Sequence, residues 1–257
     1  MKVITLNVNG IRAAQKKGLF EWLKKESADF VCLQEVRAQL DDIKSEAFWP
    51  SNYHCFHYVA MRKGYSGVAI FTKLKPNNVI EGLGCKEFDA EGRYIECVFE
   101  NFNIASIYFP SGTTGTIRQD LKYRFLDQFS DLLKERIKNK TPYIFCGDVN
   151  IVHKEIDIKN WKANQKNSGC LPEERAWLNF IFNDLSCTDT FREVNQNDSE
   201  YTWWSNRGNA YQNNVGWRID YQILTNDFKG KVMDSYIYKE QKFSDHAPLV
   251  NQYDYEF

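Results

Sequence analysis

The sequence predicts an α/β sandwich, in which two packed β-sheets are flanked by helices. About ten strand-like segments outnumber three or four helical ones, so strands and helices do not alternate one for one. Two of the strand-like segments meet at Asn101 as a tight hairpin, which favours mixed or antiparallel sheets. The chain lacks both G-x-G-x-x-G and G-x-x-x-x-G-K-[ST], so the common nucleotide-binding motifs are absent.

The predicted strands are short runs rich in β-branched and aromatic residues. Two of them, Asp29–Gln34 and Pro142–Gly147, are apolar runs typical of buried strands. The others are Val3–Asn7, Tyr53–Ala60, Gly67–Thr72, Arg93–Glu100, Phe102–Phe109, Tyr201–Ser205, Ile219–Thr225, Val232–Tyr238 and Ala247–Tyr253.

Three segments are predicted to be helices. Arg12–Glu26 and Arg118–Lys138 carry apolar residues at helical spacing. Pro172–Leu185 opens with Pro-Glu-Glu, a favourable helix start.

Composition indicates a globular protein. The 257 residues are 43% hydrophobic and 26% charged, which excludes collagen, coiled coil and wholesale disorder. We find no linker, repeat or low-complexity segment, so we expect one domain over residues 1–257. No apolar run reaches the length of about 18 residues that a membrane span needs. The opening MKVITLNVNG lacks a secretory signal, which favours a cytoplasmic location.

The seven cysteines are expected to be free thiols. Their number is odd, and no C-x-x-C or zinc-type spacing is present. Most lie beside apolar residues, as buried thiols do in a reducing cytoplasm.

Four predicted strands meet polar residues at one end. The polar stretches are Asn7–Gly10, Gln34–Glu35, Gly147–Asn150 and Ser244–His246. Each alone is typical of a turn or a cap. Because ligand-binding groups collect at strand ends, the four together favour a functional site.

The residue types in this set favour hydrolysis of a phosphate ester. The candidate ligands are oxygen donors without a thiolate, which suits Mg²⁺ or Mn²⁺. No G-x-S-x-G elbow indicates serine catalysis. A histidine beside carboxylates can transfer a proton or bind a phosphate oxygen. Since neighbours in an extended segment point to opposite sides, we expect Asp220, and not Asp245, to orient His246.

The motifs LNVNG, LQE, SGVAI, GDVN, WRIDY and SDHAP occur in this order. With them the chain resembles the exonuclease III / apurinic–apyrimidinic (AP) endonuclease family over essentially its whole length. NVGWR is more similar to the abasic-endonuclease branch than to the exonuclease-rich branch. The resemblance implies a four-layer α/β sandwich and Mg²⁺-dependent cleavage of duplex DNA 5′ to abasic sites, with Mn²⁺ as a substitute. It also implies trimming of blocked 3′ ends, some 3′→5′ exonuclease activity and a monomeric enzyme.

The resemblance also implies roles for individual residues. Glu35 would bind the metal, helped by Asn7 and Asp245. Asp148 would activate the attacking water. The remaining roles fall to Asn150 (water positioning), His246 with Asp220 (a phosphate oxygen), Tyr108 and Ser111 (phosphate), Asn164 (phosphate or sugar), and Trp203, Trp217 and Arg218 (the abasic sugar).

The sequence departs from the human-type branch at two positions, where Asn9 replaces an aspartate and Ser111 an asparagine. The formal net charge is −1, but without Glu35, Asp148 and the two other acidic site residues it would be +3. We expect the basic clusters to line a phosphate track. They are Arg12/Lys16/Lys17, Arg62/Lys63, Arg118/Lys122/Arg124 and Lys159/Lys162/Lys166.

Two alternatives remain at this point. Phosphodiesterases that act on phosphoinositides and sphingolipids, and nonspecific DNases, share GD-x-N and SDH, although WRIDY and NQKNSG match the DNA-repair branch. A catalytically dead DNA-binding protein would lack one of the acidic residues or the histidine, and all are present.

Overall fold

The structure is a computed structural model that describes residues 1–225, 228 and 230–256. Fourteen strands lie within these residues. They are β1 (Lys2–Asn7), β2 (Phe30–Gln34), β3 (His54–Tyr58), β4 (Val68–Thr72), β5 (Asn78–Glu81), β6 (Tyr94–Val98), β7 (Asn103–Tyr108), β8 (Tyr143–Asp148), β9 (Thr188–Asp189), β10 (Trp203–Trp204), β11 (Gly216–Trp217), β12 (Asp220–Leu224), β13 (Val232–Ile237) and β14 (Leu249–Tyr253).

Seven α-helices occur in the same described part of the chain. They are α1 (Ile11–Lys16), α2 (Leu19–Glu26), α3 (Lys86–Asp89), α4 (Thr116–Lys138), α5 (Trp161–Asn164), α6 (Pro172–Asn179) and α7 (Thr190–Val194). Short 3₁₀ turns cover Leu40–Ile43, Glu46–Phe48 and Glu155–Asp157, and a π-helical turn covers Phe180–Asp184.

The strands form two six-stranded mixed sheets and a short ribbon. The first sheet has the order β13-β14-β1-β2-β4-β3 and the second the order β5-β6-β7-β8-β12-β9. Each sheet has one parallel pair at its centre, β1 with β2 and β7 with β8. Strands β10 and β11 pair antiparallel as the ribbon.

The two sheets pack face to face, and helices cover their outer faces. Phe30 and Cys32 of the first sheet pack against Ile144 and Cys146 of the second. Helices α1 and α2 bury their apolar sides on the outside of the first sheet. Helices α4 and α6 do the same on the second. The predicted four-layer α/β sandwich is therefore confirmed.

Several predicted boundaries are corrected. The helix predicted over Arg12–Glu26 is two helices, because Gly18 adopts a left-handed φ of +85° between α1 and α2. Only Trp203 and Trp204 of the predicted strand Tyr201–Ser205 pair with a neighbour. Strand β5 was not predicted, since this edge strand has only two half-buried apolar residues between exposed polar ends and so gives no apolar run. The predicted helix Pro172–Leu185 changes to a π-helical turn after Asn179.

All seven cysteines are free, as expected, and five of them are buried. Within the described residues, no helix is long and apolar enough to cross a membrane.

Candidate active site

The polar ends of the strands meet at one edge of the sandwich. In the second sheet the strand register places Asp148 beside Tyr108 on one side and beside Asp220 on the other. In the first sheet β1 and β2 are parallel and end at Asn7 and Gln34, so Glu35 leaves the sheet at the same edge. The topology therefore brings residues far apart in sequence to one place.

A cleft of about 630 Å³ opens at this edge. Nine of the predicted site residues line it: Glu35, Tyr108, Ser111, Asp148, Asn150, Trp203, Trp217, Asp245 and His246. The loop residues Lys166, Asn167 and Ser168 line it as well.

Four predicted residues lie outside the cleft lining. Asn7 and Asp220 are fully buried directly behind it. Asn164 is one step removed, because its Oδ1 accepts a hydrogen bond from Nδ2 of Asn167.

Arg218 corrects an expectation, since its guanidinium is fully buried and does not line the cleft. Its Nε donates to Asp157 Oδ1 at 2.7 Å and its Nη2 to Asp189 Oδ2 at 2.6 Å. These ion pairs anchor the chain segment that carries Trp217. The WRIDY motif places a charged residue beside the site, but only the fold shows that it points into the protein.

Asn7 connects the two carboxylates on the floor of the cleft. Its Nδ2 donates to Glu35 Oε1 at 2.7 Å and to Asp148 Oδ2 at 2.8 Å. Its Oδ1 accepts the backbone N–H of Asn9 at 2.9 Å. Both ends of the amide are thus engaged within the protein, which favours a positioning role for Asn7 over direct metal ligation. On the other side of Glu35, Arg37 contacts the second carboxylate oxygen.

His246 lies between two buried aspartates. Its Nδ1 is 2.8 Å from Asp220 Oδ2, and its Nε2 is 3.9 Å from Asp148 Oδ2. Burial lowers the pKa of His246, but Asp220, Asp148 and Asp245 outweigh it and raise the pKa above the ordinary value. The ring therefore carries a proton at neutral pH, and Nε2 can donate it toward the cleft.

The surroundings of Asp148 favour its neutral form, whereas those of His246 favour its charged form. Burial and the neighbouring Asp220 raise its pKa well above the ordinary range, while His246 and the Asn7 hydrogen bond oppose the shift. The backbone N–H of Asn150 also donates to Asp148, at 2.9 Å. A cation bound at this floor would favour the ionised carboxylate.

Tyr108 reaches the same floor from β7. Its phenol lies close enough to Glu35 for the two groups to interact electrostatically. Burial and Glu35 raise its pKa, so the phenol stays protonated and can donate a hydrogen bond. The guanidinium of Arg93 lies 4.7 Å from the centre of the Tyr108 ring and holds it in place.

Asp245 and the two tryptophans form the opposite wall. Asp245 accepts hydrogen bonds from Asn9 Nδ2 at 2.8 Å and from Trp203 Nε1 at 3.2 Å. Burial opposes ionisation of Asp245, but His246 and these donors lower its pKa below the ordinary value. Trp203 and Trp217 meet edge to face, with ring centroids 6.0 Å apart. The wall therefore offers an apolar surface next to an ionised carboxylate.

The backbone is strained around this cleft. Asn9, Glu35, Arg37 and Asn150 adopt left-handed φ angles between +44° and +57°. Non-glycine residues in this region cost free energy and cluster at functional sites. Asn9 and Arg37 were not assigned a role from sequence. The available signal was their position in the sequence, since Asn9 lies within LNVNG and Arg37 follows LQE by two residues.

The donor set fits a hard divalent cation. Asp148, Asp220 and His246 bring ligand atoms within 4.8 Å of one another. Oδ1 of Asp220 is buried without a hydrogen-bond partner among the described residues. Two further carboxylates that line the cleft, those of Glu35 and Asp245, are oxygen donors of the kind that such a cation prefers.

The fold and the site define a class of hydrolases that act on phosphate esters with a metal ion. Residues 4–246 match the Endonuclease/Exonuclease/phosphatase family, and the chain belongs to it. The expected family resemblance is thereby confirmed.

Two relatives with nuclease names and one solved structure are similar to nearly the whole of this chain. An "Exodeoxyribonuclease" of Bacillus subtilis is 39% identical over 252 residues, covering 97% of this chain and 98% of that protein. "DNA repair nuclease APEX1" of Danio rerio is 36% identical, covering 97% and 81%. An AP endonuclease structure from Archaeoglobus fulgidus superimposes with a TM-score of 0.90 at 26% identity, covering 99% and 100%.

Proposed function

We propose that the protein is a DNA-repair nuclease that cleaves the phosphodiester 5′ to abasic sites in duplex DNA with Mg²⁺. The observation that carries this proposal is His246, bonded to buried Asp220 and next to buried Asp148, at the floor of a cleft walled by Trp203 and Trp217. The relatives named exodeoxyribonuclease, DNA repair nuclease and AP endonuclease support a hydrolytic nuclease.

The metal would be held by Glu35 and Asp245, which both line the cleft. When bound, Mg²⁺ or Mn²⁺ polarises a phosphate oxygen and offsets the charge that develops during hydrolysis. Asn7 keeps the Glu35 and Asp148 carboxylates in place for that role.

Asp148 accepts the proton of the attacking water, and Asn150 positions that water. Nδ2 of Asn150 lies 3.2 Å from Asp148 Oδ2, so one small group can contact both residues. His246 and Tyr108 donate hydrogen bonds to phosphate oxygens from the other sides. Donors aimed at developing charge in a buried site are a large source of rate enhancement.

Trp203 and Trp217 form the pocket for the abasic sugar. The edge-to-face pair leaves a narrow apolar wall that suits a sugar without a base. The same cleft would accept blocked 3′ ends, which gives 3′-phosphodiesterase and some 3′→5′ exonuclease activity. Ser111 and the loop that contains Asn164 would contact the phosphate and sugar beside it.

We also propose that the enzyme acts as a monomer in the cytoplasm. The seven free cysteines support a reducing compartment.

Substrate preference tests the proposed function. The protein is incubated with a duplex that carries one abasic analogue, with an intact duplex, and with phosphoinositide vesicles, each with Mg²⁺ and with chelator. We expect incision only 5′ to the abasic analogue and only with Mg²⁺. Hydrolysis of the lipid without incision of DNA would overturn the proposal.

A further inference from the structure

Lys122 and Glu174 form a buried ion pair behind the floor of the cleft. Lys122 was expected at the surface, among the cations of a phosphate track. In the structure its side chain and that of Glu174 are fully buried, with Nζ 2.6 Å from Glu174 Oε1. A buried lysine that cannot reach solvent cannot contact the DNA backbone.

Lys122 instead reaches toward the site. Its Nζ donates a second hydrogen bond, of 2.8 Å, to the backbone carbonyl of Asn150. Asn150 has a left-handed φ of +57°, so its peptide needs an external partner to hold this conformation. The side chain of Asn150 contacts Asp148 and the carbonyl of Phe109.

Glu174 binds the loop of residues 168–171, which lies beside the cleft. Its Oε2 accepts the backbone N–H groups of Gly169 at 2.6 Å and of Leu171 at 3.0 Å. Its Oε1 lies 3.4 Å from Ser168 Oγ. Ser168 lines the cleft, so the same carboxylate fixes the loop that faces Asn150.

Gln119 extends this cluster to the loop before α4. Its Nε2 donates to Glu174 Oε1 at 3.0 Å. A Cβ at Gly112 would lie 1.9 Å from Gln119 Oε1 and 2.5 Å from Ser168 Oγ, so Gly112 packs directly on this cluster. Three segments that line the cleft, at positions 112, 150 and 168, therefore share one buried anchor.

We infer that Lys122 and Glu174 are positioning residues that act through Asn150, with the 168–171 loop held against it. This inference rests on the proposed function, since it assigns the pair a part in the same reaction. Removing a buried polar partner of an active-site group commonly lowers activity by roughly 10- to 100-fold. We expect a loss of that size without loss of the fold.

The test uses a neutral pair, because removing Lys122 alone would leave a buried charge on Glu174. The variant is Lys122→Met/Glu174→Gln, in which the amide oxygen of glutamine still accepts the Gly169 and Leu171 N–H groups. The matched control is Arg136→Met/Glu96→Gln. That ion pair is also largely buried, at 3.3 Å, but contacts no residue of the cleft. Circular dichroism and thermal unfolding verify that both variants fold.

Single-turnover incision of the abasic duplex is measured for each variant alone and combined with Asn150→Ala. We expect the Lys122/Glu174 change to slow incision about tenfold or more in the wild-type background, and less than about twofold once Asn150 is alanine. The control pair should have no such effect in either background.

The outcomes separate this inference from the proposed function. If the wild type incises abasic DNA and Asn150→Ala is slow, but the Lys122/Glu174 loss is absent or multiplies with that of Asn150→Ala, only the positioning role is overturned. If the wild type does not incise abasic DNA, the proposed function fails and this inference fails with it.

Discussion

At the scale of single residues, the site assigns different chemistry to carboxylates that lie close together. Glu35 is held by Asn7 and Arg37 and faces the cleft. Asp148 is buried next to Asp220, which raises its pKa and makes its ionisation depend on a nearby positive charge. Asp220 is fully buried and bonded to His246. These different surroundings support the roles that we propose for the three carboxylates: metal ligand for Glu35, proton acceptor for Asp148 and orienting group for Asp220.

Glu35→Gln tests the metal-binding role. The substitution preserves shape and removes the ligand charge, so Mg²⁺ should bind more weakly and incision should require more of it. The measurement is the Mg²⁺ concentration at half-maximal rate in both proteins. An unchanged half-saturation point would remove Glu35 from the ligand set.

His246 and Asp220 are expected to act as one unit. A proton on His246 depends on the 2.8 Å contact with Asp220, so His246→Ala, Asp220→Ala and the double variant should fall to similar rates. The experiment is a double-mutant cycle on single-turnover incision at saturating Mg²⁺. His153→Ala is the control, because this buried histidine bonds Asn179 and lines a different pocket. Losses that multiply in the double variant would mean that the two residues act independently.

His57 makes stability depend on pH. Burial lowers its pKa to about 4, and neither ring nitrogen has a hydrogen-bond partner among the described residues. The unfolded chain binds a proton near pH 6.5 and the folded chain does not, so stability is lost as pH falls from 6.5 to 4. The loss between pH 7 and pH 5 should be roughly 2 kcal/mol in the free energy of unfolding.

Urea unfolding at pH 7 and pH 5 measures this dependence. In His57→Phe the loss attributable to this site should disappear, because phenylalanine suits the contacts with Trp49 and Phe71 and does not titrate. The exposed His54, on the same strand, provides the control variant His54→Gln. An equal loss of stability in His57→Phe and the wild type would contradict the assignment.

At the scale of elements, apolar runs predicted the central strands well, whereas loops required the structure. Burial on both faces makes Phe30–Gln34 and Tyr143–Asp148 continuous apolar runs, and these are easily recognised. The break at Gly18 is set by a left-handed backbone that a helical periodicity does not reveal. Strand β5 has little core contact and carries a correspondingly weak signal.

The loop that carries Gly169 offers a prediction at this scale. Gly169 has a φ of +92°, and an added Cβ would lie 2.9 Å from both the Asn150 carbonyl oxygen and the Trp217 ring. Gly169→Ala should therefore displace the cleft wall and slow incision. Gly84→Ala is the matched control, because its φ is +77° but its Cβ would meet open space.

Both alanine variants should lose about 1–2 kcal/mol of stability from the left-handed backbone, and Gly169→Ala should lose more because of its 2.9 Å contacts, measured by urea unfolding. Only Gly169→Ala should also lose activity on abasic DNA, measured in single turnover. Equal activity in the two variants would mean that the Gly169 contact with the cleft wall is dispensable.

At the scale of the whole molecule, the site exists because two sheets end at one edge. The order of motifs identified the polar strand ends, and the structure places nine of the predicted site residues in one cleft. Side-chain direction was the part that sequence could not supply. Arg218 belongs to a site motif and Lys122 to a basic cluster, yet each is buried in an ion pair that only the packing of distant segments creates.

The central claim is that this shared edge hydrolyses the DNA backbone through Asp148. The most direct test compares wild type and Asp148→Asn in single-turnover incision of a duplex with one abasic analogue, at saturating Mg²⁺, alongside the dissociation constant for that duplex. Loss of the proton acceptor should slow incision on the order of 10²- to 10⁴-fold while binding stays nearly unchanged. A near-normal incision rate in Asp148→Asn would contradict the account.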